Sequence, residues 1–439
     1  MNRPRFWLAV LALVVSGGAQ ALDLMEAYQL ALESDPVLKQ AEENLNAVRE
    51  TRPQAKALLL PNVGISGRLN QNYRDITDSP FPVEEGSENF STSNLSINLL
   101  QPIYNRAYWM QLEQADSVIA QAEAEYAAAK QDLMARTIEA YFNVLAAQDD
   151  LTVAKAKKEA NLRQLDQAKQ RFEVGLIAIT DVHEAQAAYD GSRADVIATE
   201  NKVNNAWEAL FVIIGPHPGK LSKLAEKIPL NKPEPADLDE WAKVALEQNY
   251  SIVAARSALE AQRKTVEIQR SGHYPQLDLV GSYSLDTSGA ELGRDSNTGV
   301  IGLQLNLPLY QGGAVSSRTR QALYNYQATK ESLDSLRRSI NQQVRNAYRG
   351  VITSISQVEA LKATTVSAQS ALESTQAGYE VGTRTLVDVL TVQGNMFAAR
   401  RNYLAARYDY IINGLLLKQA ASTLSEDDML RVNKWLVAP

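Results

Sequence analysis

The sequence predicts a mixed α/β membrane protein in which each chain supplies four β-strands to a closed barrel and continues it with very long α-helices. Three observations predict it: an exported start, an internal duplication, and in each duplicate two alternating strands followed by an unusually long helix. The chain has 439 residues, of which 45% are hydrophobic and 22% charged, the balance of a folded protein. It contains no cysteine, which removes disulfides, thiolate metal sites and a cysteine nucleophile together. Its three histidines, His183, His217 and His273, lie far apart and form no metal-ligand spacing. A formal charge of −7 argues against nucleic acid as a partner, since such proteins present a basic face. No cofactor and no enzymatic chemistry is expected. GPHPGKL (215–221) has the wrong spacing for a phosphate loop and no Ser or Thr after its lysine, and Asp427-Asp428 reads as an exposed tail.

The first element, residues 1–21, is a secretory signal. Arg3 and Arg5 precede the apolar run from Phe6 to Val15, and Ala19-Gln20-Ala21 forms a small-residue exit. The run is far shorter than the ~20 residues of a spanning helix, and no cysteine follows to carry a lipid anchor.

Two copies of one unit follow. Ala31-Leu32-Glu33 recurs as Ala245-Leu246-Glu247, and Pro61 matches Pro275 at the same offset of about 214. Pro102-Ile103-Tyr104 then pairs with Pro308-Leu309-Tyr310, Tyr141 with Tyr348, and EVGLIAITDV (173–182) with EVGTRTLVDV (380–389), at about 206–207. A steady offset that shrinks once, inside a loop-like stretch, marks a duplication. The expected division is a first repeat over 22–214, a proline-rich linker or small irregular equatorial region over 215–237, a second repeat over 238–423 and a tail over 424–439.

Each repeat opens with a helical stretch (about 24–58 and 237–270) that a proline ends. Two period-two segments flank a polar loop: 62–73 and 91–100 in the first repeat, 276–285 and 299–309 in the second. Next comes a helix without Gly or Pro from Ile103 to Val174, roughly 108 Å if continuous. Its partner from Ala314 to Ala377 is interrupted only by Gly350. Strands in a bilayer must close into a barrel, and four are too few, because membrane barrels start at eight. Several copies must therefore contribute, and three copies give twelve strands. Helices of this length exceed the ~30 Å hydrocarbon layer and must enter an aqueous space. Export and acidity place that space in the periplasm, beneath an outer membrane.

The segments EVGLIAITDV and YEVGTRTLVDV, the opening LMEAYQLALESDP and the joins PIYNRA and PLYQGG together resemble the TolC family of outer-membrane efflux and secretion channels. The resemblance covers nearly the whole chain after the signal. It implies a trimer with a twelve-stranded barrel in outer-membrane lipid and a periplasmic α-helical barrel that ends in an iris-like entrance. It also implies docking to a periplasmic adaptor (membrane-fusion) protein and an inner-membrane transporter of the RND or ABC type. Val174, Gly175 and Leu176, with Val381, Gly382 and Thr383, match the tips that contact the adaptor; both glycines are helix ends on any reading. Tyr379 and Arg384 match residues that hold the entrance closed by bonding Thr180 and Asp181. Gln167 and Arg407 match a second constraining set. Asp388 matches an acidic ring, whose companion acid one turn on is here Thr391. Pro61, Pro102, Pro275 and Pro308 match the swivels between strand and helix. Tyr104, Tyr108, Trp109 and Tyr310 read equally as an aromatic girdle or as core. The rival reading is an exported coiled-coil stalk or adhesin without a pore, which explains the helices and leaves the strands unexplained.

Overall fold

The computed structural model describes residues 21–77, 86–216, 219–290 and 293–437. The signal expected over 1–21 falls, apart from Ala21, outside the described residues, as does His217. The expected first helix is three: α1 (Leu24–Ser34), α2 (Pro36–Arg49) and α3 (Thr51–Ala57). The break at Asp35 follows from Pro36, which suits the first helical position while its neighbour is pushed out of the helical region. Asp35 is 1% exposed; its carboxylate accepts the Leu38 N–H at 2.7 Å and the Arg136 guanidinium at 2.9 and 3.1 Å. The second repeat breaks at the matching position, between α6 (Leu238–Gln248) and α7 (Tyr250–Arg270). There Asn249 Oδ1 accepts the N–H groups of Ser251 and Ile252. Both copies thus cap a helix with a short polar side chain at one place.

Three strands are longer than the alternation marks: β1 (Asn62–Ile76), β2 (Gly86–Tyr104), which takes Ile103 and Tyr104 from the expected start of the long helix, and β4 (Gln276–Ser288). β5 (Ser296–Asn306) has the expected length but begins three residues earlier and stops before Pro308, which has no ladder donor. A separate short strand, β3 (Lys223–Leu224), lies between the repeats. Ladder bonds carry the large strands through the polar loop residues, where side-chain alternation fades. The long helices are α4 (Arg106–Glu173) and α8 (Ala314–Glu380), the latter unbroken at Gly350. Each turns into a second helix, α5 (Ile179–Ile214) or α9 (Leu386–Ala420). The chain closes with α10 (Glu426–Asn433) and β6 (Leu436–Val437).

Two compact units result, each drawing on both repeats. One comprises Gln40–Ala128 and Gln248–Ser339. It holds a four-stranded antiparallel sheet of order β1-β2-β4-β5, with β1 and β5 at the edges. Pro61 and Pro275 stand just before β1 and β4, and Pro308 follows β5. Pro102 lies inside β2, at a register shift against β4 between Pro102 and Tyr104, where a missing donor is tolerated. The helices of this unit meet through Glu113–Lys264, and through Gln114 Nε2 donating to Thr265 Oγ1 at 2.7 Å.

The other unit comprises the chain up to Lys39 with Ala129–Glu247 and Ile340–Pro439. Tyr141, Phe142, Leu133, Ile138, Leu145, Leu24, Leu210 and Leu417 are fully buried there. The inter-repeat segment is held to this unit by pairing and hydrogen bonds. β3 pairs with β6, the Leu22 N–H donates to Lys220 O, and the Tyr141 hydroxyl lies 3.0 Å from the carbonyl oxygens of Leu22 and Ser222. Asp428 is likewise not an exposed tail acid. It is 4% exposed, pairs with Lys418 at 2.5 Å and with Arg431, and caps α10 at Ser425. Asp428→Ala leaves two cations without their carboxylate and should destabilise this unit by about 3 kcal/mol. The expected sign is an earlier thermal transition by circular dichroism, with Asp428→Asn falling between.

Candidate functional site

The matched segments EVGLIAITDV and EVGTRTLVDV become two helix-to-helix turns of one design. Gly175 and Gly382 take φ of 74° and 80°, the left-handed region where a Cβ is strained. Around Gly175 the Leu176 N–H returns to Arg171 O at 2.8 Å and the Gly175 N–H to Phe172 O at 2.9 Å. Around Gly382 the Thr383 N–H returns to Gly378 O at 2.8 Å and the Gly382 N–H to Tyr379 O at 3.1 Å. Both are Schellman closures, which satisfy the last carbonyls of a helix. The apolar tips are left open: Val174, Leu176 and Val381 are 69%, 73% and 76% exposed. Behind the turns, Leu165, Ala168, Ala185 and Leu386 form a small buried cluster against which Ile177, Val182, Tyr189, Tyr379 and Leu390 pack.

The turns differ in how the following helix starts. Thr385 precedes α9 and forms a capping box with Asp388. Asp388 Oδ2 accepts the Thr385 N–H at 3.0 Å and its hydroxyl at 2.9 Å, and the Asp388 N–H returns to Thr385 Oγ1 at 3.2 Å. The bond from the Thr385 N–H, then its hydroxyl, then the nearby Arg384 charge hold the Asp388 carboxyl below the usual carboxylate range. Position 178, the counterpart of Thr385, is alanine and caps nothing. Asp181, the counterpart of Asp388, is half-buried in the first turn of α5, and its carboxylate has no partner among the described residues. Thr180 precedes it, exposed.

The latch set gathers at the turns without closing on itself. Tyr379 lies under the Arg171 guanidinium, 4.7 Å from ring centroid to Cζ. Arg384 lies back across the last turn of α8, where a Cβ on Gly378 would stand 2.8 Å from its Cγ. Within one chain neither residue bonds Thr180 or Asp181. Gln167 lines a polar groove with Gln164, Gln170, Arg171 and Tyr379. Arg407 does not join it. It is 5% exposed, donates to Ala225 O in the inter-repeat segment and lies 5.9 Å from the Tyr403 ring. Its neighbour Tyr408 donates to Asp149 at 2.7 Å. Gln393 bonds Asn161 on α4, and Arg407 is fourteen residues, about 21 Å, farther along α9, so it cannot meet Gln167 in the same chain. Thr391 is exposed on α9.

Sequence reasoning missed four contributing residues. Thr385 was legible, since Thr-x-x-Asp before an apolar run is a capping signature. Arg171 over Tyr379, and the buried amides Asn161 and Gln393, carry no local signal because their partners are hundreds of positions away.

The family model described as "Outer membrane efflux protein" matches residues 27–216 and 241–423. The chain is 38% identical over 438 residues to "Outer membrane protein TolC" of Vibrio cholerae, covering 99% of this chain and 98% of that protein. It is 37% identical over 437 residues to the TolC of Escherichia coli, covering 96% and 86%. "Proteases secretion protein PrtF" of Dickeya chrysanthemi is 28% identical, covering 99% and 96%. The solved Campylobacter jejuni CmeC outer membrane channel superposes with a TM-score of 0.79 at 18% identity, covering 99% of this chain and 98% of that one. These likenesses favour a channel over a poreless stalk, and the chain belongs to the outer membrane efflux protein family.

Proposed function

We propose that this protein is the outer-membrane exit duct of a tripartite export machine, built from three copies and opened at its periplasmic end by an adaptor bound to an inner-membrane transporter. The sheet carries the reading. Val63, Ile65, Leu69, Leu95, Ile97, Leu279, Leu303 and Leu305 share one face, while Ser66, Arg68, Asn70, Asn94, Ser96 and Asn98 share the other. Among the described residues no helix is long and apolar enough to cross a membrane. An apolar face for lipid and a polar face for a water-filled lumen are the two sides of a membrane barrel. The free edges β1 and β5 run in opposite directions, so the joint between copies is antiparallel like the rest. Three sheets then make twelve strands and leave no edge unpaired.

The open tips Val174, Gly175 and Leu176, with Val381, Gly382 and Thr383, offer an adaptor two exposed, largely apolar contacts of one design. Pro61, Pro102, Pro275 and Pro308 serve as the joints between strand and helix. Relatives named for protease secretion and for efflux support service to both ABC- and RND-type transporters.

Asp388 supplies a ring of three carboxylates, which favours cations. In planar bilayers the purified protein should show a cation-preferring conductance that Asp388→Asn makes non-selective. The Thr385 bonds keep the carboxyl ionised to lower pH, so the midpoint at which selectivity is lost should move upward in Thr385→Val. Because Thr391 replaces a second acid, Thr391→Asp should strengthen block by multivalent cations. Selectivity indifferent to Asp388→Asn removes the ring, and absence of any conductance despite insertion removes the duct.

A further inference from the structure

Seven residues into α9 a side-chain bridge crosses the helical interior. Gln393 Nε2 donates to Asn161 Oδ1 of α4 at 2.7 Å, and Asn161 Nδ2 donates to the carbonyl oxygen of Ala188 in α5 at 2.9 Å. Gln393 and Asn161 are 3% and 5% exposed. Two hydrogen bonds in series therefore tie three helices together. Buried amides that are satisfied fix the register of the helices carrying them, because any slip leaves a polar group unpaired. Sliding α9 by one turn, ~5.4 Å, would break the bridge outright.

The duplication supplies the control. The counterpart of Asn161 in the second repeat is Ala368, and that of Gln393 in the first is Gln186. Alanine has no amide, and Gln186 donates to Asp190 on its own helix at 2.8 Å. Of two related seams, α4 with α9 is pinned, while α5 with α8 has no such bridge. Tyr379, Arg384, Thr180 and Asp181 all lie on the turn side of the pin. The stretch of α4 beyond Asn161 is twelve residues, roughly 18 Å.

We propose that the Asn161–Gln393 bridge is the fixed point of the entrance. Both are positioning residues that hold α9 to the α4–α5 hairpin, so opening displaces the turn ends beyond them and leaves the helices behind them in place. This rests on the entrance reading above, and the test separates the two.

The chain has no cysteine of its own, so Asn161→Cys with Gln393→Cys can be joined by a short bifunctional thiol reagent. The cross-link is made in the Tyr379→Phe, Arg384→Ser background and single-channel conductance is read before and after. A pin that stays in place during opening predicts an undiminished conductance. A cross-link that returns the current to the wild-type level means the bridge must break for opening, and overturns the proposal. If the background itself conducts no better than wild type, the entrance reading fails and this one goes with it. Asn161→Leu with Gln393→Leu provides an independent readout. Replacing both partners by apolar groups of similar size leaves stability nearly unchanged, whereas removing one does not. With the pin gone, the single conductance level of the background should spread into several at unchanged thermal stability. One sharp level in that variant contradicts a pinning role.

Discussion

Tyr379→Phe combined with Arg384→Ser is expected to raise single-channel conductance sharply while leaving the assembly intact. The reason is hydrogen-bonding capacity left unused at one end of the molecule. Asp181 keeps a free carboxylate because alanine stands where Thr385 stands in the other repeat, so nothing at the start of α5 engages it. Among the described residues, Arg384 crosses Gly378 without reaching a carboxylate within bonding distance, and the Tyr379 hydroxyl has no partner although its ring is held under Arg171. Since these groups do not meet within a chain, the latch we propose forms between neighbouring copies. An exposed pair is worth up to ~1 kcal/mol, and a charge-assisted bond shielded from water about 1–3 kcal/mol. Even ~1 kcal/mol in each of three symmetric copies shifts the open-to-closed ratio by about a hundredfold, because each ~1.4 kcal/mol is a factor of ten. An adaptor that prefers the open state has to supply only a comparable difference. Asp181→Ala should reproduce the effect from the other side of the joint. A correctly inserted double variant that conducts like wild type removes the latch.

The parts of this protein that were legible in its sequence are those governed by local rules. The absence of Gly and Pro from 103 to 174 announces α4, and the duplicated Val-Gly followed by Asp announces both turns. The helix breaks were only half legible. Asp35 precedes a proline, a local signal, but Asn249 precedes Tyr250 and is marked only by its place in the repeat. Arg431, one turn on in α10, is a local partner of Asp428, but the burial was invisible because it also needs Lys418, whose approach depends on how α9 ends. The same holds for Arg407. As a residue on a helix it reads as a surface charge, and only the fold brings the inter-repeat carbonyl of Ala225 to it. Asn161 and Gln393 are 232 positions apart, so no window of sequence joins them. The duplication is the exception that reaches across distance, since it allowed one copy to serve as the reference for the other.

Leu69→Arg should abolish insertion where Asn70→Arg, one residue on, is tolerated. Leu69 stands at the middle of β1, is 85% exposed, and points with Val63, Ile65 and Tyr73 to one face. Leaving such side chains in water forfeits roughly 1.5–3 kcal/mol for each large one that lipid would cover. An arginine on the lipid face near the bilayer midplane costs about 2–4 kcal/mol, and three copies carry it at once. The total rivals the ~5–15 kcal/mol by which folded proteins are stable. Asn70 faces the other way, beside Arg68, where the polar side already carries a guanidinium in the natural sequence. The readout is the amount of heat-modifiable oligomer in a urea-washed outer-membrane fraction. Loss for Leu69→Arg with retention for Asn70→Arg assigns the faces as proposed. The reverse pattern would turn the barrel inside out, because a single-residue step in a strand exchanges every side chain between lipid and lumen.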